Sequence, residues 1–205
     1  MNKKKVLVIG ASGTIGGAIC EELATDCDVI KVSGSSGDYT VDIADSNSIT
    51  QLYKQIADID AVVCAAARGV VFKSLNEMTL DDYQTSLCGK QLGQIDLVLQ
   101  GLKLLTKKNV SFTLTTGLLN VDPIAAGSAA AMVNAAIEGF CVAASIDMPD
   151  KQRINVVSPA LLAESVDHYG AFFPGHDTVP AKKVALAYRK SIMGKLTGKV
   201  IRVGW

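Results

Sequence analysis

A cluster of glycines near the amino terminus is the first part of the sequence whose residue types and spacing could do chemistry. Gly10, Gly13 and Gly16 lie between an apolar run and a helical pattern. Gly10 permits a tight turn, Gly13 lets the backbone approach a pyrophosphate, and Gly16 lets the helix pack closely on the preceding strand. The free amides and positive dipole end of that helix would then face the phosphates. The turn predicts nucleotide binding by Gly10, Ser12, Gly13, Thr14, Ile15 and Gly16.

The residues that end the second predicted strand bear on which dinucleotide is bound. A carboxylate here normally selects NAD by binding the ribose 2′-hydroxyl, whereas a 2′-phosphate needs its absence and prefers positive charge. The segment 29–36 has no acidic residue, three serines and one lysine, Lys31. It favours NADP(H) over NAD(H), with contacts from Ser33, Ser35 and Ser36. An ordinary serine-rich turn is the alternative, because Ser and Gly dominate turns.

The elements that must position these residues alternate along the chain. Residues 5–10 form a short, continuous apolar run, which is typical of a strand buried on both faces. Further strand patterns lie at 29–32, 39–42, 61–65, 110–116, 154–157 and 200–203, and helical patterns at 14–24, 46–57, 79–106, 126–147 and 180–192. This alternation predicts an α/β fold, a doubly wound parallel sheet of the Rossmann-like type, as a single domain over 1–205. A loop-rich insertion is predicted at 160–179.

The composition excludes several classes of partner. Twenty basic and 20 acidic residues give no net charge, which argues against nucleic acid or an anionic membrane as a partner. The most hydrophobic later stretch contains Ser128, Asn134 and Glu138, which we interpret as too polar for a membrane span. The five cysteines form an odd set without a CxxC pair, so neither disulfides nor a metal site is expected. We expect a cytoplasmic protein.

Several segments together resemble the short-chain dehydrogenase/reductase family over essentially the whole chain. They are the glycine turn at 10–16, Val41-Asp42-Ile43, the strand end Ala65-Ala66-Ala67, Ser158-Pro159-Ala160 and the last strand before Gly204. The resemblance implies that Asp42 and Ile43 hold the adenine ring and that Ala65, Ala66 and Ala67 occupy the place of the family's Asn-Asn-Ala-Gly. It also implies cofactor contacts from Thr115, Pro159 and Leu161. The helix usual between the second and third strands is expected to be absent.

The catalytic positions depart from the family pattern. The family uses a Tyr that exchanges a proton with the substrate, a Lys four residues later, a Ser and a helix Asn. Here Ala130 stands at the Tyr position, Asn134 at the Lys position, Thr116 at the Ser position and Lys90 at the Asn position. Because alanine cannot transfer a proton, the ordinary mechanism cannot operate through Ala130.

Three interpretations of this departure remain open. In the first, the chain is an oxidoreductase for a small carbonyl or alcohol, in which Thr116 hydrogen-bonds the carbonyl and Lys90 donates a proton or stabilises the alkoxide. Lys90 could instead hold the ribose or pair with a carboxylate such as Glu77, and Tyr169 or His168 could supply the proton. In the second, the chain binds NADP(H) without turnover, as a redox sensor or regulatory protein. The third, an enzyme of another class, has no supporting triad, metal cluster or carboxylate pair.

Small residues dominate the helix predicted around 125–144. The resemblance implies that this helix and the preceding long helix form a dimer interface, and small residues permit close helix approach. Leu97, Leu104 and Leu105 are expected to add apolar surface. We therefore expect a homodimer or homotetramer, although packing of this face on the sheet is the alternative.

Overall fold

A parallel sheet of seven strands forms the centre of the computed structural model, which describes residues 3–149 and 151–205. The strands run in the order β3-β2-β1-β4-β5-β6-β9, and every pairing is parallel. Their bounds are β1 Lys4–Ile9, β2 Cys27–Ser33, β3 Tyr39–Thr40, β4 Ala61–Cys64, β5 Ser111–Thr115, β6 Arg153–Pro159 and β9 Lys199–Val203. The doubly wound, Rossmann-like fold is confirmed. The order reverses between β1 and β4, the point where such sheets bind ligands.

Helices cover both faces of the sheet. They are α1 Thr14–Leu23, α2 Ser46–Gln55, α3 Leu80–Ser86, α4 Gly93–Leu104, α5 Ser128–Asp147, α6 Val166–Tyr169 and α7 Ala181–Met193. Successive side chains of β1 point to opposite faces, so Leu7 and Ile9 enter one core with residues of α2, α4 and α5. Val6 and Val8 enter a second core with residues of α1 and α7. Burial on both faces explains the continuous apolar run.

The long helix predicted at 79–106 contains an irregular turn. Residues Leu87–Leu92 form a π-helical segment between α3 and α4. A Cβ added at Gly89 would lie 1.7 Å from the carbonyl oxygen of Arg68, and one at Gly93 would lie 2.5 Å from that of Ile43. The helix is thus pressed against two loops at the carboxyl end of the sheet. π-Helical turns are often found at functional sites, and this one carries Lys90.

The connection between β2 and β3 is a turn, as expected from the shortness of the chain. Residues 34–38, all described, contain no helix. The amide of Asp38 donates to the Lys31 carbonyl at 2.7 Å, and the Lys31 amide donates to the Asp38 carboxylate at 2.8 Å. β3 is shorter than the predicted 39–42, because the chain leaves the sheet before Asp42, whose carboxylate accepts from the amide of Ala44.

The insertion at 160–179 is more ordered than a loop-rich segment. β7 (Leu161–Leu162) pairs in parallel with β8 (Thr178–Val179), and α6 lies between them with short 3₁₀ turns. The carboxylate of Glu164 accepts from the amide of Ala181 at 3.0 and 3.1 Å, which fastens the insertion to the first turn of α7.

Helix α5 departs from the expectation that it is too polar for a membrane span. By length and composition alone, α5 could cross a membrane, and its mean hydropathy is 1.6. It is the one such helix in the described part of the chain. Val133, Ile137 and Cys141 on this helix are nevertheless fully buried against their own chain. Packing on the sheet accounts for this buried side, whereas Val142 and Ile146 on the same helix are exposed.

Candidate functional site

A cleft of about 440 Å³ opens at the carboxyl ends of β1, β2 and β4. Predicted cofactor residues supply most of its lining, namely Gly10, Ser12, Gly13, Ser33, Ser35, Asp42, Ile43, Ala65, Ala66 and Ala67. Ile9, Gly34, Val41 and Arg68 complete it. The structure therefore brings together residues from four separate loops at the switch point of the sheet.

The glycine turn has the geometry that a bound phosphate group requires. Gly10 has a φ of +89°, and a Cβ there would lie 2.8 Å from the backbone of Ala65. A Cβ at Gly16 would lie 2.0 Å from the carbonyl oxygen of Gly10, so this glycine permits the close packing of α1. Gly13 caps α1 without any side-chain hydrogen bond. The amides of the first turn are therefore available to an anion, which fits a dinucleotide pyrophosphate.

Two predicted residues of this turn lie outside the lining of the cleft. Thr14 is exposed and Ile15 is half-buried at the start of α1. Gly16 is buried beneath the turn and acts through packing. Contacts from Thr14 and Ile15 to a cofactor stay predictions.

The end of β2 differs from the expectation of three free hydroxyls and a nearby lysine. Ser33 donates to the Ser36 carbonyl at 2.6 Å and accepts from the Ser36 amide at 3.0 Å, which uses the Ser33 hydroxyl within the turn. Ser35 is exposed and lines the cleft, whereas Ser36 does not line it. Lys31 faces a separate groove of about 460 Å³ beside α1, with Cys20 and Cys27. It points there because it alternates with Val32 across the strand.

An ion pair spans the end of the cleft where the adenine ring is expected. Arg68 Nη1 lies 2.8 Å from Asp42 Oδ2, and the two side chains are 73% and 44% exposed. The amide of Arg68 donates to the Gly89 carbonyl at 2.9 Å, so the backbone of this loop is fixed to the π-helical segment. Arg68 was absent from the sequence prediction, although its position directly after the strand-end alanines is a signal that could have found it.

The two predicted catalytic residues lie beside α5, outside the lining of the cleft, and the contact predicted between Lys90 and a cofactor stays a prediction. Lys90 Nζ donates to Asn134 Oδ1 at 2.7 Å, and Asn134 Nδ2 donates to the Gly117 carbonyl at 3.2 Å. The hydroxyl of Thr116 donates to Glu138 Oε1 at 3.1 Å. Asn134 and Glu138 are four residues apart and share one face of α5. Lys90, Thr116, Asn134 and Glu138 thus form one polar cluster, hereafter the Lys90 cluster.

Lys90 is a partly buried cation whose contact is a neutral amide. Burial lowers its pKa from 10.5 to about 8, and no ion pair between the described side chains includes it. The alternative pairing with Glu77 is wrong, because Glu77 instead accepts from the Ser74 hydroxyl at 2.6 Å. A lysine in this state can hold and release a proton near neutral pH.

Other predicted residues have different surroundings. Ala130 is 4% exposed and packs with Leu118 and Leu119, so no hydroxyl stands at the family's Tyr position. The hydroxyl of Thr115 is buried, hydrogen-bonded to the Cys64 carbonyl and, at 2.6 Å, to the Tyr188 hydroxyl. Thr115 therefore does not present its hydroxyl to the cleft, and its contact to a cofactor stays a prediction.

Four further residues complete the comparison with the sequence prediction. Pro159 and Leu161 are buried at the end of β6 and in β7, outside the cleft lining. Their contacts to a cofactor stay predictions. Tyr169 and His168, the alternative proton donors, are exposed on α6.

Comparison with known proteins agrees with this geometry. Residues 6–85 match the model of the NAD dependent epimerase/dehydratase family. The chain is 30% identical over 146 residues to the short-chain dehydrogenase/reductase ucsE of Acremonium sp., which covers 67% of this chain and 53% of that protein. The chain thus spans about half the length of this curated relative.

Solved structures cover the whole fold. The crystal structure of the protein lin1944 from Listeria innocua is 45% identical, has a TM-score of 0.94, and covers 98% of this chain and 99% of its own. A small-chain dehydrogenase solved in complex with NADPH is 23% identical, has a TM-score of 0.85, and covers 98% and 97% of the two chains. With the glycine turn, the strand order and these matches, the chain belongs to the short-chain dehydrogenase/reductase family.

Proposed function

We propose that the protein is a cytoplasmic NADP(H)-dependent oxidoreductase that interconverts a small carbonyl compound and its alcohol. The observation that supports this most is the combination of a glycine-lined cleft with a partly buried lysine free of any carboxylate partner among the described residues. A partly buried amine that is paired with a neutral amide can lose and regain a proton, which a reductase needs in order to protonate the substrate oxygen. Five free cysteines fit a reducing compartment.

The cofactor assignment is supported at both ends of the cleft. The turn at Gly10, Gly13 and Gly16 would hold the pyrophosphate, and Asp42 and Ile43 would lie at the adenine. No acidic residue ends β2, which leaves room for a 2′-phosphate. The structural relative in complex with NADPH supports the same cofactor class. When bound, NADPH would supply the hydride that reduces the carbonyl carbon.

The chain's own residues would handle the oxygen of the substrate. The hydroxyl of Thr116 would turn from Glu138 Oε1 and donate to the carbonyl oxygen, which orients the substrate. Lys90 gives a proton from Nζ to this oxygen as the alcohol forms, and then recovers one from solvent. Asn134 holds Nζ in place without neutralising its charge. Positive charge beside a developing alkoxide also lowers the barrier.

One observation favours the second candidate, an NADP(H)-binding redox sensor without turnover. The family's Tyr position is the buried Ala130, packed against Leu118 and Leu119. If Lys90 served only to hold the ribose, the cleft would bind the cofactor and reduce nothing.

A screen of small aldehydes and ketones separates the two candidates. We expect NADPH oxidation with at least one substrate, and we expect Lys90→Met to lower kcat by roughly a hundredfold or more, the size of a general-acid contribution. Lys103→Met is the matched control, since Lys103 is exposed on α4, and should keep full activity. A blank screen with intact NADPH binding would instead support the sensor.

A further inference from the structure

We propose that Arg68 determines the preference for NADP(H), by leaving Asp42 and binding the 2′-phosphate of the cofactor. The inference rests on the proposed function, because it assumes that the cleft binds a dinucleotide. It concerns a residue after β4, whereas selection between the two dinucleotides is usually attributed to the end of β2.

The first argument is the distribution of charge around the cleft. A bound 2′-phosphate needs a positively charged group. Among the described residues that line the cleft, Arg68 is the one basic side chain. Lys31, the cation expected from the sequence, lines the separate groove beside Cys20 and Cys27. The hydroxyl of Ser33 is committed to Ser36, so the end of β2 offers little beyond Ser35.

The second argument is that Arg68 is free to change partners. Its side chain is 73% exposed, and in the described structure the guanidinium makes a single hydrogen bond, from Nη1 to Asp42. Exposed ion pairs of this kind contribute little to stability. The remaining N–H groups can donate to a phosphate in the bidentate manner for which arginine is suited.

The third argument is that the backbone of Arg68 is fixed while its side chain is not. The amide of Arg68 donates to the Gly89 carbonyl, and its own carbonyl lies where a Cβ on residue 89 would be. The side chain of Arg68 can therefore change its rotamer while its backbone stays fixed at the rim of the cleft. Binding a phosphate would then order the side chain alone, which limits the entropy lost on binding. Asp42 holds the guanidinium near the cleft until the phosphate displaces it.

Isothermal titration with NADPH and NADH tests the proposal on the intact protein and three variants. We expect Arg68→Gln to weaken NADPH binding about tenfold, as for loss of a charge-assisted hydrogen bond at a partly exposed site. The affinity for NADH should change by less than about twofold, which is much smaller than the change expected for NADPH. Arg68→Lys should keep most of the preference. Lys31→Gln is the matched control and should leave both affinities unchanged.

The alternative outcomes separate this proposal from the function beneath it. Equal weakening of NADPH and NADH by Arg68→Gln would place the arginine on the shared adenosine diphosphate portion and overturn the proposal. Unchanged NADPH binding by a folded Arg68→Gln would overturn it as well, with the oxidoreductase assignment intact. If the unmodified protein bound neither nucleotide, the proposed function itself would fail. Raising the salt concentration should reduce NADPH affinity less in Arg68→Gln than in the parent.

Discussion

At the scale of single residues, the Lys90 cluster contains a lysine and an asparagine whose positions are exchanged relative to the family pattern. The family's Asn position carries Lys90 and its Lys position carries Asn134, and the two side chains meet at 2.7 Å. The sequence identified each substitution, but the contact joins residues 44 positions apart and required the fold. Arg68 was missed for a related reason, since an arginine in a loop is usually solvated.

The proton role of Lys90 predicts the pH dependence of turnover. Lys90 must carry its proton in order to give it to the substrate, and burial lowers its pKa to about 8. We therefore expect kcat for carbonyl reduction to be high at pH 7 and to fall as pH rises through about 8. A pH–rate profile at saturating NADPH measures this. A profile that stays flat up to pH 10 would show that Lys90 is not the donor.

The same lowered pKa predicts how stability changes with pH. In the unfolded chain Lys90 keeps its proton up to about pH 10.5, whereas in the folded protein it loses the proton from about pH 8. Between these values the unfolded state binds more protons, so the folded state gains stability as pH rises. Urea unfolding of the parent and Lys90→Met from pH 7 to 10.5 measures this contribution, and the stability difference between the two proteins should shift in favour of the parent as pH rises.

At the scale of elements, one glycine of the π-helical segment links the Arg68 loop to the helix that carries Lys90. Gly89 contacts the loop of Arg68, and the next residue is Lys90. Periodicity predicted a helix through this region correctly, because the apolar spacing continues through α3 and α4. The π-helical turn was not predictable from that spacing. It depends on close contact between the helix and the backbone of Arg68 and Ile43, which belong to other segments of the chain.

Gly89→Ala tests the importance of this close approach. The new Cβ would lie 1.7 Å from the carbonyl oxygen of Arg68, which is backbone and cannot move aside freely. We expect a loss of roughly 3 kcal/mol in the free energy of unfolding, as for severe overpacking. Gly17→Ala on α1 is the control, because its nearest new contact is an ordinary 3.9 Å. It should raise stability by about 0.5 kcal/mol.

If Gly89→Ala proved as stable as the parent, the contact between the π-helical segment and the Arg68 loop would not constrain the fold. Chemical denaturation of both variants gives the answer directly. Hydrogen exchange at the amide of Arg68, which donates to Gly89, should rise in Gly89→Ala and stay unchanged in Gly17→Ala.

At the scale of the whole molecule, the sheet followed from the sequence because buried parallel strands read as continuous apolar runs. The apolar part of the outer surface was predicted less well. Leu97 and Leu105, expected to add apolar surface, are buried in the core, because both pack with apolar side chains of the sheet. The exposed apolar side chains of this region are instead Leu92, Leu99, Met132, Val142 and Ile146.

We propose that a second copy of the chain covers this surface on α4 and α5. Large exposed apolar side chains that recur on adjacent helices are typical of interaction surfaces. Analytical ultracentrifugation should therefore find a dimer or tetramer. The double variant Val142→Glu/Ile146→Glu should shift it toward the monomer, and Leu186→Glu on α7, which is similarly exposed, should not. A monomeric parent would contradict the proposal.

The central claim is that the glycine-lined cleft binds NADP(H), and calorimetric titration of the unmodified protein with NADPH tests it most directly. We expect one site per chain, with tighter binding for NADPH than for NADH. Gly13 and the first turn of α1 should make the pyrophosphate contact, so a bulky Gly13→Val should abolish the heat signal while the protein stays folded. Absence of any binding signal for both nucleotides with the folded parent protein would contradict the account.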